Sequence, residues 1–139
     1  MLITMQQFWM GRDTKYAGEL TAAIKANAEM TVQRANALLS IAQAEGVVLE
    51  PAALWGLVNS GWRPAAVNAG TPGAATHSHH MTGEAVDVRD PSGRLDAWCI
   101  ANSAQLAGIG LWQEHPDSTP GWCHLQIVAP HSGNRVFRP

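Results

Sequence analysis

Residues 76–90 read THSHHMTGEAVDVRD, with three histidines in the four positions His77 to His80 and Asp87 seven residues past the last of them. A further histidine, His124, stands in GWCHLQIV at 121–128. Imidazole nitrogens and a carboxylate oxygen are good ligands for zinc, and two histidines with one aspartate leave a tetrahedral ion one open position for water. Such an ion lowers the pKa of that water and polarises a bound carbonyl, which is the chemistry of peptide hydrolysis. Spacing alone also allows a plainer reading, in which these are surface histidines or core histidines with satisfied hydrogen bonds.

The elements around these residues decide which of them can meet. GEAVDVRD at 83–90 alternates Ala85, Asp87 and Arg89 against Val86 and Val88, a strand pattern that sets Asp87 on one face. His80 lies just ahead of it, and Gly83 lets the backbone turn between them. IGLWQE at 109–114 and GWCHLQIV at 121–128 read as two strands of a hairpin joined through HPDSTP. His124 shares parity there with Trp122 and Gln126, whereas Cys123 points the other way and is expected to be a packed thiol. LWGLVNSG at 54–61 is strand-like, and the stretch 61–80, with two prolines and three glycines, reads as largely loop. Leu95 to Ala107 reads as a helix turning Leu95, Trp98, Cys99 and Leu106 inward.

Upstream, Thr4 is placed to cap a short helix carrying Met5, Phe8 and Trp9 and closed by Gly11. From Leu20 to Ala42 the apolar positions step by three and four, a helical stripe that Gly46 stops. The stripe fits one long helix or two with a bend near Asn27, and its expected task is to pack on a sheet. The order, helices first and then strands with one helix between them, fits an α+β domain: a small, mainly antiparallel sheet with helices on one side. One domain is expected over 1–139, with a helical part at 1–50 and a metal-site part at 51–139.

Composition narrows the partners. Charged residues are only 14% of the chain and the formal net charge is −2, so no block of Lys or Arg tracks a phosphate backbone and nucleic acid is not an expected partner. No run of eighteen apolar residues occurs, and the N-terminus MLITMQQFWMGRD lacks a secretory pattern. The expectation is synthesis in a cytoplasm without a signal peptide and no membrane insertion. Two cysteines are too few for a disulfide framework. Six tryptophans against two phenylalanines and one tyrosine can serve a core or line a groove.

The run from Ser78 to Asp87 satisfies Ser-x-His-x-x-Gly-x-Ala-x-Asp at every specified position. In this it resembles the zinc D-alanyl-D-alanine carboxypeptidase family, which includes bacteriophage peptidoglycan endopeptidases and whose fold hedgehog signalling domains share. Asn59-Ser60-Gly61-Trp62-Arg63-Pro64 resembles the family's Ser-Gly-Tyr-Arg segment, and Trp122-Cys123-His124 resembles the strand that delivers the last ligand. The likeness covers about Asn59 to Ile127, half the chain. It implies a hedgehog/D-Ala-D-Ala-peptidase-like fold, Zn2+ held by His80, Asp87 and His124, and Arg63 binding a substrate carboxylate or the oxyanion. It also implies Ser78 hydrogen-bonding near metal or substrate. Plainer roles stand beside these: a salt bridge from Arg63 to Asp87 or Asp90, and a turn-capping hydroxyl for Ser78. His77, His79 and His131 fall off the motif and read as exposed loop residues.

The family places Glu or Asp three residues before the last histidine as general base, and here that position is Gly121. Glu114 at the end of the facing strand is the favoured replacement, and Asp117 in the connecting loop is the second; each also reads as a solvated turn charge. Glu84 is expected to point away from the metal. Trp62, Trp112 and Trp122 are candidates to wall a substrate groove. The function implied is a monomeric zinc peptidase acting on the peptides of bacterial peptidoglycan, of the kind phages use for lysis or carry on the virion. The competing expectation is a zinc-binding structural module of a phage particle with no activity, which the glycine at 121 keeps open. A third reading is a metal-free protein with incidental histidines.

Overall fold

Thr4 opens the first element by a reciprocal cap. Its hydroxyl accepts from the Gln7 N–H at 3.1 Å while the Gln7 side chain accepts from the Thr4 N–H at 3.0 Å, which starts α1 (Met5–Trp9). The computed structural model describes residues 2–139. α1 closes on Met10, itself left-handed at φ 54°, one residue before the expected Gly11, and α2 (Arg12–Lys15) follows at once. The apolar stripe forms α3 (Ala22–Ala44), one unbroken helix of 23 residues capped by the Thr21 hydroxyl on Ile24 N–H at 3.2 Å. Asn27 stays helical, and its side chain instead reaches out to the Thr82 carbonyl at 3.1 Å.

The sheet has five strands: β1 (Val58–Ser60), β2 (Ala85–Arg89), β3 (Trp112–Glu114), β4 (Trp122–Gln126) and β5 (Val136–Phe137). Their order is β1-β2-β4-β3-β5, antiparallel except for the β3–β5 pair. The α+β class and mainly antiparallel sheet agree with the sequence reading; β5, a two-residue strand too short to carry a pattern, was not foreseen. The hairpin of β3 and β4 forms, but its first strand is only three residues, because the preceding helix, Ser103–Ile109, runs on to Ile109 and Gly110 turns the chain at φ 87°.

Strand parity sorts the sheet into two faces. Val86, Val88, Cys123 and Leu125 are fully buried in one cluster with Leu38 and Leu39 of α3. α3 packs on β2, α5 (Arg94–Ala101) on β4, and α6 (Ser103–Ile109) on β3. Asp87, His124 and Gln126 take the other face. The helix expected over Leu95–Ala107 is thus two. Asn102 breaks it at φ −120°, ψ 39°, with its own side chain donating to the Trp98 carbonyl at 2.8 Å. Asp90 starts α5 by accepting from the Leu95 and Asp96 N–H groups at 3.0 and 2.8 Å. The 61–80 stretch is loop except for α4 (Ala65–Ala69), begun after Pro64, and a 3-10 turn at His79–Thr82. Among the described residues no helix is long and apolar enough to cross a membrane.

Candidate metal centre

Asp87 and His124 are directly opposed on neighbouring strands β2 and β4, so their side chains leave the same face side by side. His80 arrives from the 3-10 turn, whose first N–H groups the Ser78 hydroxyl serves by accepting from His80 N–H at 3.2 Å. Gly83 then redirects the chain into β2 at φ 77°, a left-handed conformation, with its α-carbon pressed on α3. A β-carbon there would stand 2.9 Å from the Ile24 carbonyl oxygen. Three elements therefore deliver three side chains, each less than one-tenth exposed, to one point.

The ligand atoms of His80, Asp87 and His124 lie within 4.8 Å of one another. His80 Nε2 is 3.2 Å and His124 Nδ1 2.8 Å from the same oxygen, Asp87 Oδ1. The outward nitrogens are spoken for. His80 Nδ1–H donates to the Gly61 carbonyl at 2.8 Å, which leaves Nε2 for the centre. His124 Nε2 is 2.9 Å from Gln126 Oε1. The Gln126 amide nitrogen donates to the Val128 carbonyl at 2.8 Å, and because that carbonyl can only accept, Oε1 must face His124. His124 accordingly carries its proton on Nε2 and turns Nδ1 inward. Both tautomers are set for a metal, and a donor set of two imidazoles and one carboxylate suits a divalent ion such as zinc.

Electrostatics fit the same role. Burial pushes the Asp87 carboxyl up, but the imidazoles of His80 and His124 outweigh it and hold Asp87 well below the usual carboxylate range. Burial lowers His80 against the pull of Asp87. Burial also works to lower His124, yet its hydrogen bond to Asp87 and the Asp87 charge prevail and raise it. In the metal-free protein the 2.8 Å contact between His124 Nδ1 and Asp87 Oδ1 favours the doubly protonated ring, so a proton competes with a metal for Nδ1.

These residues floor a cleft of about 650 Å³. Glu114 lines it, with Oε2 4.0 Å from His124 Nδ1, and burial raises its carboxyl above the ordinary value. Arg63 and Ser78 line it too, the Arg63 Nη2 donating to Ser78 Oγ at 3.0 Å. Asp87 acts on Arg63 only through space, and Asp90 is engaged as the α5 cap. Trp122 forms part of the wall. Asp117 does not reach the cleft: it pairs with Arg138 at 2.8 Å and its side chain is 66% exposed. Of the other tryptophans, Trp62 is core, fully buried with its indole N–H on the Met81 carbonyl, and Trp112 lies under the Arg135 guanidinium. His77 and His131 are exposed; His79 is partly covered beside Glu84, which keeps clear of the cleft. Cys123 is buried on the core face, and Gly121 is exposed.

Two contributors escaped the sequence. Gln126 was visible as sharing the His124 face, but an amide two residues along a strand carries no mark of orienting an imidazole. The Gly61 carbonyl is a backbone group, signalled only by a glycine whose α-carbon is packed against the Phe8 carbonyl too closely for a side chain.

A family model described as Peptidase M15 matches residues 16–119, a span that holds His80, Asp87, Arg63, Ser78 and Glu114 and stops short of His124. No curated protein and no solved structure matches the chain.

Proposed function

The chain belongs to the peptidase M15 family, and from that membership we propose that it is a zinc-dependent peptidase hydrolysing the peptide stems or cross-links of bacterial peptidoglycan. The observation that carries the reading is the convergence of His80, Asp87 and His124, with orienting partners on both imidazoles, on the floor of a cleft that also holds Glu114. His80 Nε2, a carboxylate oxygen of Asp87 and His124 Nδ1 are the atoms that would hold zinc. When bound there, the ion makes water more acidic and polarises the scissile carbonyl.

The chain's own residues supply the rest. Glu114 takes the proton of the attacking water and returns it to the departing amine nitrogen, and its raised pKa brings it nearer the operating pH, where general bases are most effective. Its position on β3 replaces the missing carboxylate at Gly121, because β3 and β4 are paired in a register that puts Glu114 beside His124. The Arg63 guanidinium, steadied by Ser78, faces negative charge on the substrate. Trp122 offers a flat wall for the peptide. The same proposal includes action as a monomer, in a phage lysis enzyme or virion-associated wall hydrolase working at the cell wall.

Gly121 favours the second reading, a zinc-binding module without turnover. One experiment separates the two. Purified protein is incubated with peptidoglycan, with and without a chelator. Release of amines that stops with chelator and returns with added zinc supports the peptidase; tight zinc binding with no release supports the module and refutes the peptidase.

A further inference from the structure

We propose that Gln113 and Asp96 are positioning residues for the reaction: their buried hydrogen bond fixes the register of β3 on β4 and so holds Glu114 against His124. This rests on the peptidase reading, in which Glu114 is the base, and it gives the core side of the sheet a part in the work of the cleft.

Gln113 is the middle residue of β3, so its side chain leaves the face opposite to that of Glu114. Its register partner is Leu125, and both are fully buried. The Gln113 amide nitrogen donates to the Asp96 carbonyl at 3.1 Å and to Asp96 Oδ1 at 2.7 Å. A carbonyl only accepts, so the NH2 group must face Asp96, which leaves Gln113 Oε1 buried with no partner. An amide half satisfied in this way is costlier than an apolar side chain of similar size. What it supplies is direction, because the amide meets Asp96 in one register and a slipped strand leaves both unpaired.

Strand pairing by itself defines that register weakly. β3 has three residues, and its pairs with β4 are Trp112↔Gln126 and Gln113↔Leu125. Glu114 lies past them and is paired instead with Phe137 of β5, a strand of two residues. Slipping a strand by one residue turns every side chain to the other face. Here that slip would send Glu114 into the core and Gln113 into the cleft. A buried polar contact is a known means of fixing register.

The anchor starts from the strand that carries His124. Asp96 sits in the first turn of α5, its N–H held by Asp90 Oδ2 at 2.8 Å. The Asp90 N–H in turn donates to the Gly121 carbonyl at 3.0 Å, one residue before β4 begins. From Gly121 one path runs through Asp90 and Asp96 to Gln113, next to Glu114; the other runs along β4 to His124. Base and ligand are thus placed from one origin, and they meet at 4.0 Å between Glu114 Oε2 and His124 Nδ1.

The test uses the zinc-loaded full chain and amine release from soluble peptidoglycan peptides. Gln113→Met keeps the length and loses the amide. It is expected to lower kcat about 10- to 100-fold, the scale of a misplaced catalytic group, with zinc content and KM nearly unchanged. In a Glu114→Gln background the same change is expected to cost no further kcat, because Gln113 acts through Glu114. Losses that multiply, or a Gln113→Met chain with parental kcat, overturn the proposal. Asp96→Asn, which keeps an oxygen for the Gln113 amide, is expected to retain much more activity than Asp96→Leu; equal damage by both also overturns it. If Gln113→Met fails to fold, the Asp96 pair decides the matter alone. A crystal structure of zinc-loaded Gln113→Met supplies a readout free of turnover, with Glu114 expected off His124. Glu114 unmoved there sinks the positioning role whether or not the parent chain cleaves. Glu114 displaced, with a parent chain that cleaves nothing, sinks only the peptidase reading.

Discussion

Replacing Gln126 by leucine removes the acceptor that keeps the His124 proton on Nε2. The residue is 3% exposed, so no solvent stands ready to replace the lost partner. In the parent chain Nε2 lies 2.9 Å from Gln126 Oε1, and the amide is pinned by Val128. After the change Nε2–H is buried without an acceptor, a penalty of about 1–3 kcal/mol, and the ring is free to present the wrong nitrogen. Partners of metal-bound histidines are typically worth about 10- to 100-fold in affinity, or roughly 1.4–2.7 kcal/mol. The two routes agree, and a zinc affinity about 10- to 100-fold weaker is expected for Gln126→Leu. Competition against a chromophoric chelator at neutral pH measures it, with thermal melting of the metal-free protein as the check on folding. Gln126→Glu keeps an acceptor for the His124 Nε2–H but cannot donate to the Val128 carbonyl, so it should hold zinc more tightly than Gln126→Leu. A Gln126→Leu variant that binds zinc within about twofold of the parent, well under the expected loss, would show that the side chain does not orient His124.

Glu114→Gln should keep its zinc while kcat falls by about two orders of magnitude or more; near-normal turnover would remove Glu114 as the base, and the exposed, Arg138-paired Asp117 is poorly placed to inherit the task. Zinc loading should weaken as pH falls. His124 is raised above the ordinary histidine value, so below that pKa a proton occupies Nδ1 and must leave before metal binds. The apparent dissociation constant should then climb by up to about tenfold per pH unit and level off above the pKa; a titration series flat across the histidine range contradicts this. Gly83→Ala must accept φ 77° and place a β-carbon 2.9 Å from the Ile24 carbonyl, for a loss of at least about 2 kcal/mol. Melting should drop by roughly 8 °C, and an unchanged melting temperature would show that the turn relaxes freely.

The sequence determined what depends on local periodicity and chemistry. Alternation along 83–90 and 121–128 is enough to put Asp87 on one face, His124 with Gln126 on one face, and Cys123 away from both, because side chains on a strand alternate whatever surrounds them. Thr4 announced its helix through capping chemistry, which involves only the next turn, whereas the Thr21 cap of α3 appeared only in the structure. Tertiary structure decided what depends on register and long-range packing. That Asp87 faces His124 follows from how β2 docks on β4, and Glu114 reaches the site only because β3 pairs with β4 where it does. Trp62 looked as suited to a groove wall as Trp122; contact with Trp9 and the Met81 carbonyl took it into the core. Asn102 split a helix that apolar spacing ran through: it leaves helical geometry at φ −120°, ψ 39°, with its backbone N–H and its side chain both donating to the Trp98 carbonyl. Arg12 carried no pattern at all, and only the packing of α1 beside β1, with α2 following at once, brings its guanidinium to the Trp62 carbonyl, fifty residues along the chain.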